Sequence, residues 1–416
     1  MGVGSQRADN TINKTLKYNL KRKFTVHFEL TSTCQAACPN CARNVGGVEL
    51  PWLAKTELRL TDVKKILQGT QLVKQSDILY CGTHGDPAAA KDLLAIIEWI
   101  QDQPYEAGNK RRQQINTNGG LRDKDFWNRL GKHFNKKHDR GHVVFSIDGL
   151  EDTNHIYRKG VSWARVWENL NTYIDAGGEA VWDYLVFGHN QHQVEEAERI
   201  AKSMGITFVR KRPHGFDQTA GQLDSEQYMH TYDANGNYEY SISKDTDVVY
   251  FEEEKDSKPG VNLNRVQNSG ISLTEKENNY SKESKILCKS LSRGTDRTVF
   301  SQDVYIKSDG HLLPCCHMDV VTTTNSYNFG HQQMKDTVNG IYNMLDVVNN
   351  DIDKLIESDT FKKTFFDTQI LESAEEGKPM FCVDTCGGNT PRDMLFTAHQ
   401  DSNKATATKL SKLLGL

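Results

Sequence analysis

The sequence predicts an α/β protein of parallel βα units followed by a smaller α+β segment, and three observations lead there. Six short apolar or β-branched runs recur at a spacing of about 35 residues between positions 24 and 212, each ending at turn residues. Amphipathic, helix-like stretches fill the gaps, and strands joined through helices pair in parallel. After residue 213 this rhythm stops, and cysteines return only from position 288 onward. The pattern alone does not separate an open sheet from a partial barrel.

In chain order the strands are "FTVHFEL" (24–30), "DILYC" (77–81), "RQQIN" (112–116), "HVVFSID" (142–148), "WDYLVFG" (182–188) and "ITFVRKR" (206–212). The helices between them are 61–68, 89–101, 123–134, 163–176 and 192–204. Thr61 and Asp123 are expected N-caps, and Gly177 and Gly205 stand just past C-termini. Residues 214–285 are polar and hold one hairpin candidate, "YDANGNYEYSIS", around an Asn-Gly turn. Farther on, "TVFSQDVYIKSDGHLLPCC" reads as two strands about an Asp-Gly turn and 349–366 as helical. The organisation is therefore an N-terminal tail (1–22), a βα core (23–213), a polar insertion or connection (214–285), a second, smaller domain (286–390) and a C-terminal tail (391–416).

Composition limits the function. The 416 residues exceed one average domain. A net charge of −4 does not advertise a nucleic-acid or membrane-surface protein, although "KYNLKRK" (17–23), "NKRRQQ" (109–114) and "VRKR" (209–212) are local basic stretches. No signal peptide and no run approaching the roughly 18 apolar residues of a membrane span occur, so the expectation is a soluble, cytoplasmic protein without a membrane partner. Nine cysteines, an odd and mostly clustered number, suggest reduced thiols that bind metal rather than a disulfide scaffold.

The densest cluster is "CQAACPNCARN" (34–44), a C-x3-C-x2-C spacing at the end of the first strand. Three thiolates there can hold three corners of a [4Fe–4S] cube and leave the fourth iron open for a small molecule. A structural zinc that borrows a distant fourth ligand is the alternative. His84, His189 and His192 are further possible ligands, against capping or solvated roles, and Cys81 reads as a small buried residue.

This spacing resembles the signature of the radical S-adenosylmethionine (SAM) superfamily, and the resemblance extends over roughly 24–212. "CGTHGDP" (81–87) is similar to the family's glycine-rich motif, with Gly82 and Gly85 retained and Asp86 where glutamate is usual. "NTNGG" (116–120), with Asn118, resembles the motif after strand three, and "FSIDG" (145–149), with Ser146 and Asp148, the ribose-side motif. Arg158 in "YRKG" would supply the arginine for the SAM carboxylate, and Asn190 in "VFGHN" would lie near adenine or substrate. Asn40 stands where an aromatic residue often precedes the third cysteine.

The resemblance implies a partial (β/α)6 barrel and a [4Fe–4S] cluster on Cys34, Cys38 and Cys41. It also implies reductive cleavage of SAM to a 5′-deoxyadenosyl radical, fed by a low-potential donor of flavodoxin or ferredoxin type. Substrate contacts are expected among Ser146, Asp148, Asn190, Arg210 and Arg212 at the strand ends. The later cysteines resemble the auxiliary-cluster domains of the SPASM and Twitch classes. Cys288, Cys315, Cys382 and Cys386 would close one auxiliary [4Fe–4S] cluster, with Cys316 as a spare that points away from Cys315; zinc is again the alternative.

Such a domain pair implies a peptide or small-molecule substrate. The 33 residues before Cys34 are fewer than a usual leader-recognition domain, which weighs against a peptide maturase. Modification of a nucleotide or nucleic-acid base is a less favoured reading, and a non-catalytic, zinc-stabilised binding protein represents a different class.

Overall fold

The structure is a computed structural model that describes residues 18–211, 213, 228–244, 288, 290–293, 299–323, 329–369 and 382. Six parallel strands form its centre: β1 (Tyr18–Phe28), β2 (Ser76–Tyr80), β3 (Gln113–Thr117), β4 (Gly141–Ser146), β5 (Ala180–Leu185) and β6 (Thr207–Lys211). They lie in sequential order and pair in register, with Phe28 opposite Tyr80 and Ser146 opposite Asp183. Parallel crossovers share one hand, so sequential order winds the helices onto one face and turns the other inward, as in a partial (β/α)6 barrel.

Five helices cover the outer face: α1 (Leu60–Leu67), α2 (Leu93–Gln101), α3 (Lys124–His133), α4 (Trp163–Asp175) and α5 (Val194–Ser203). Phe24, Val26, Phe28 and Leu30 alternate along the first strand and its exit, and all are buried in the core. Trp127 of α3 meets Phe145 of β4 and Tyr173 of α4, with ring centroids 5.2 and 6.2 Å away, which locks two crossovers together. Each such buried side chain contributes about 1.5–3 kcal/mol.

Asp123 caps α3 as the sequence suggests, accepting from the Phe126 N–H at 3.0 Å. Gly177 and Gly205 follow α4 and α5 with positive φ. Thr61, by contrast, lies inside α1. The cap is Arg59, whose N–H is taken by Asp62 at 2.9 Å, so the acid three residues on sets the start instead of the threonine. The expected hairpin forms between Tyr228–Tyr232 and Tyr238–Ser243.

The sheet also crosses the boundary at 286. Val299–Ile306 pairs in parallel with the free edge of β1, with Phe28 opposite Ile306, and Leu291–Arg293 and Leu312–Leu313 pair with it antiparallel. The β1 strand begins at Tyr18 rather than at residue 24, because its polar first half finds partners at Val299 and Ser301. Cys316 opens a helix (Cys316–Thr323) instead of ending a strand. The stretch 349–366, expected to be helical, holds a helix from Ile352 to Glu357, breaks at Ser358, whose backbone is extended, and turns helical again from Asp359. No helix among the described residues is long and apolar enough to cross a membrane.

Candidate functional site

The cysteine loop leaves the C-terminal end of β1 and folds into tight turns. Cys41 N–H donates to Cys38 O at 3.2 Å, and the Asn44 side chain donates to the same carbonyl at 3.0 Å. The loop is held from across the barrel mouth by Ala37 N–H to Lys159 O at 2.8 Å. Two sulfurs face donors from loops that follow other strands. Asn118 Nδ2 lies 3.6 Å from the Cys34 sulfur, and Arg158 reaches the Cys38 sulfur at 3.7 Å. The Ala36 N–H adds a donor to Cys34 at 3.3 Å.

Burial pushes all three thiols above their ordinary range, Cys41 to about 11. Thiols in this setting ionise only where a cation compensates them, so the donor set fits a metal centre. Two ligands about 2.3 Å from one zinc lie at most about 4.6 Å apart. Among the described residues, the one set of three or more His, Cys, Asp or Glu donors gathered within 4.8 Å is Glu29, His84 and Asp319. The three cysteine sulfurs are not gathered as closely as that set.

The 81–87 loop closes over the same region. A Cβ on Gly85 would stand 1.8 Å from Thr31 O, and one on Gly82 would stand 2.0 Å from Gly85 O, so the backbone approach itself demands glycine at both positions. Asp86 N–H donates to Thr33 O at 2.9 Å, which joins the loop to the approach to Cys34. The Asp86 carboxylate is buried and already holds three donors: Ala88 N–H at 2.8 Å, Thr117 Oγ1 at 2.7 Å and Asn118 N–H at 2.8 Å. Burial nevertheless pushes its pKa up. Asp86 therefore ties the ends of β2 and β3 together.

At the next strand end, Asp148 binds Arg158 Nε at 2.6 Å and the Leu185 N–H at 2.7 Å. Burial raises its pKa. Burial pushes the Arg158 guanidinium down, but Asp148 and Cys38 outweigh it and leave the arginine more firmly charged. Ser146 is half-buried on β4. Asn190 lies in the loop after β5. Its amide donates to Asp148 O at 2.8 Å and Leu185 O at 2.9 Å and accepts from the Phe187 N–H at 2.8 Å. Both of its donor hydrogens are taken by the chain, so its side chain fixes the loop after β5. Arg210 is likewise paired with Glu198, and Arg212 lies outside the described residues.

Of the later cysteines, Cys288, Cys315 and Cys382 are half-buried, and Cys315 and Cys382 pack against the main core; Cys386 lies outside the described residues. Sequence reasoning missed the buried polar group behind the 81–87 loop. Glu29 accepts from His84 N–H at 2.6 Å and Ser308 Oγ at 3.1 Å, and Asp319 meets His84 Nδ1 at 3.3 Å and Lys307 at 3.0 Å. A glutamate at the end of an apolar strand was the one available signal.

No protein-family model matches the sequence, and no curated protein matches it. Among solved structures the chain is similar to hexahistidine-tagged anSMEcpe with bound AdoMet, at 12% identity over 84% of this chain and 81% of that one, with a TM-score of 0.46. It is similar to SuiB of Streptococcus suis bound to S-adenosylmethionine, at 13% identity over 82% and 68%, with a TM-score of 0.46. Methylornithine synthase (PylB) is similar at 12% identity over 45% of this chain and 53% of that one, with a TM-score of 0.32.

Proposed function

We propose that the chain is a radical SAM enzyme acting on a peptide or small molecule, with Cys34, Cys38 and Cys41 holding a [4Fe–4S] cluster. The observation that carries this reading is the three-cysteine loop at the end of β1, buried at Cys38 and half-buried at Cys34 and Cys41, with donors from other loops, Asn118 and Arg158, facing two of its sulfurs. When bound, the cluster and SAM would supply a 5′-deoxyadenosyl radical able to remove hydrogen from an unactivated carbon. The chain's own residues do the rest. Gly82 and Gly85 let backbone approach the site, and Asp86 and Asn190 hold the strand-end loops. Asn118 and Arg158 stabilise negative charge on the sulfurs, and Ser146 and Asp148 line the proposed SAM side. Burial of these groups excludes water and stray hydrogen donors.

Cys288, Cys315, Cys382 and Cys386 are proposed to hold one auxiliary [4Fe–4S] cluster. A nucleic-acid substrate is the weaker reading, because the described basic side chains of the three basic stretches are engaged within the chain. Lys23 pairs with Asp77, Arg112 with Asp139, Arg210 with Glu198 and Lys211 with Asp183, while buried Arg111 donates to backbone carbonyls. The deciding experiment measures iron, sulfide and zinc in protein purified without oxygen, then 5′-deoxyadenosine formed from SAM under reduction. About eight irons per chain with cleavage supports both clusters, and about four with cleavage leaves only the first. Zinc without iron, and no cleavage, overturns the reading in favour of a structural metal.

A further inference from the structure

The cysteine site does not use the buried polar group behind the 81–87 loop. Glu29 is 1% exposed, His84 3% and Asp319 0%, yet they come from β1's exit, the loop after β2 and the helix Cys316–Thr323. Glu29 accepts from the backbone N–H of His84 at 2.6 Å and of Gly85 at 3.3 Å, so it holds the loop's main chain. His84 Nδ1 points back to Asp319 at 3.3 Å, and Asp319 is gripped by Lys307 at 3.0 Å and Tyr305 OH at 2.9 Å. Tyr305 also meets Thr83 at 2.8 Å, which makes a second bridge from the late segment to the same loop.

A divalent cation does not explain this group. Two carboxylates already face two cationic side chains, and both oxygens of Asp319 are engaged within the chain, Oδ1 by Lys307 and Oδ2 by His84 and Tyr305. Each buried carboxylate of the group thus has a cationic partner within the chain, with Asp309 3.5 Å from Lys307 on its other side, as a buried ionic cluster needs if it is to persist. His84 Nε2 is buried without a hydrogen-bond partner among the described residues, which marks it as the cluster's one open donor.

We infer that Glu29, His84, Asp319 and Lys307 form a strap by which the segment after residue 299 positions the 81–87 loop, with His84 as its central positioning residue. The cofactor that the loop would face is the SAM of the function proposed above, and that part rests on that reading; the strap itself does not. Without it, the loop would still be held on this side by Arg43 on the His84 carbonyl, Phe28 O on the Cys81 N–H and Thr33 O on the Asp86 N–H, but its His84 side chain and the backbone N–H groups of His84 and Gly85 would lose their anchors.

Amide hydrogen exchange on the purified full chain tests the strap directly. Asp319→Asn removes the charge that holds His84 and Lys307 while keeping its shape. The expected result is roughly tenfold faster exchange across 81–87, with 143–146 of β4 unchanged. Unchanged protection of the loop, or an equal rise across the sheet, overturns the inference. If Asp319→Asn does not fold, Tyr305→Phe removes a hydroxyl contact to Asp319 and Thr83 and is expected to raise loop exchange by about threefold, with the same two overturning outcomes. SAM binding measured by calorimetry should weaken in the same variant by about tenfold, the equivalent of about 1.4 kcal/mol. A wild-type chain that binds no SAM would overturn the proposed function while leaving the exchange result to decide the strap.

Discussion

Arg158 reaches the Cys38 sulfur at 3.7 Å while Asp148 holds its Nε at 2.6 Å. The carboxylate thereby aims a guanidinium at a sulfur from 120 residues earlier in the chain. Asp148 is itself fixed by the Leu185 N–H, so the ends of β4 and β5 and the cysteine loop form one electrostatic unit. A carboxylate–arginine–thiol chain of this kind keeps positive charge beside the Cys38 sulfur and favours its thiolate form.

Arg158→Met should destabilise the chain by about 3–5 kcal/mol, because it leaves Asp148 charged, buried and without its cationic partner. Adding Asp148→Asn should restore part of that loss, since the unpaired charge is then gone. Urea unfolding of the two single variants and the double variant measures this. A double variant no more stable than Arg158→Met would show that the pair is not the source.

Replacing any one of Cys34, Cys38 and Cys41 with alanine should lower the iron content by about four per chain and abolish SAM cleavage. Cys382→Ala should lower iron by a similar amount yet leave some cleavage. Iron analysis alongside a cleavage assay separates the two sites. A Cys38→Ala protein that stays brown and cleaves SAM would remove the cysteine loop from the mechanism.

Gly85→Ala and Gly69→Ala form a contrast. At Gly85 the new Cβ would meet Thr31 O at 1.8 Å, backbone against backbone, so loop or strand end must move. At Gly69 φ is +80° but nothing lies within 4 Å, so only the conformational preference is lost, at about 1 kcal/mol. Thermal melting should show the larger drop for Gly85→Ala. Equal drops would mean that the 81–87 loop yields easily.

The alternation in "FTVHFEL" and the helical periodicities made the parallel βα order legible, because each is a local pattern tied to one face of one element. The motif glycines were legible too, although the reason for Gly85 is a close approach to Thr31 that only the folded chain displays. Pairings between distant segments were not legible. The polar start of β1 looks like a charged tail until Val299 and Ser301 supply its partners. Asn190 fits a cofactor-binding pattern by position, and only its two backbone acceptors reveal that it holds a loop. The role of Asp319 depends on contacts with His84, Lys307 and Tyr305, of which only the last two are near it in sequence.

The strap also predicts how stability responds to pH. Burial pushes His84 down, but Asp319 and Glu29 outweigh it and raise its pKa from 6.5 to about 9. A histidine raised on folding contributes stability fully below its unfolded value and loses it as pH rises through its folded value. Burial pushes Asp319 up, but His84 and Lys307 outweigh it and hold the carboxyl below its ordinary range, so its contribution disappears only in acid. Lys307 is held above its ordinary value and stays charged throughout this window. Other groups facing the cluster are Tyr305 and His27 across the sheet, Arg43 on the His84 carbonyl, and Asp309 and Tyr342 beside Lys307. The wild-type melting temperature should therefore fall between pH 6.5 and 9 more steeply than that of His84→Gln, whose side chain cannot titrate. Parallel pH profiles for the two proteins would mean that His84 is not held charged by Asp319, and the ionic account of the strap would fail with it.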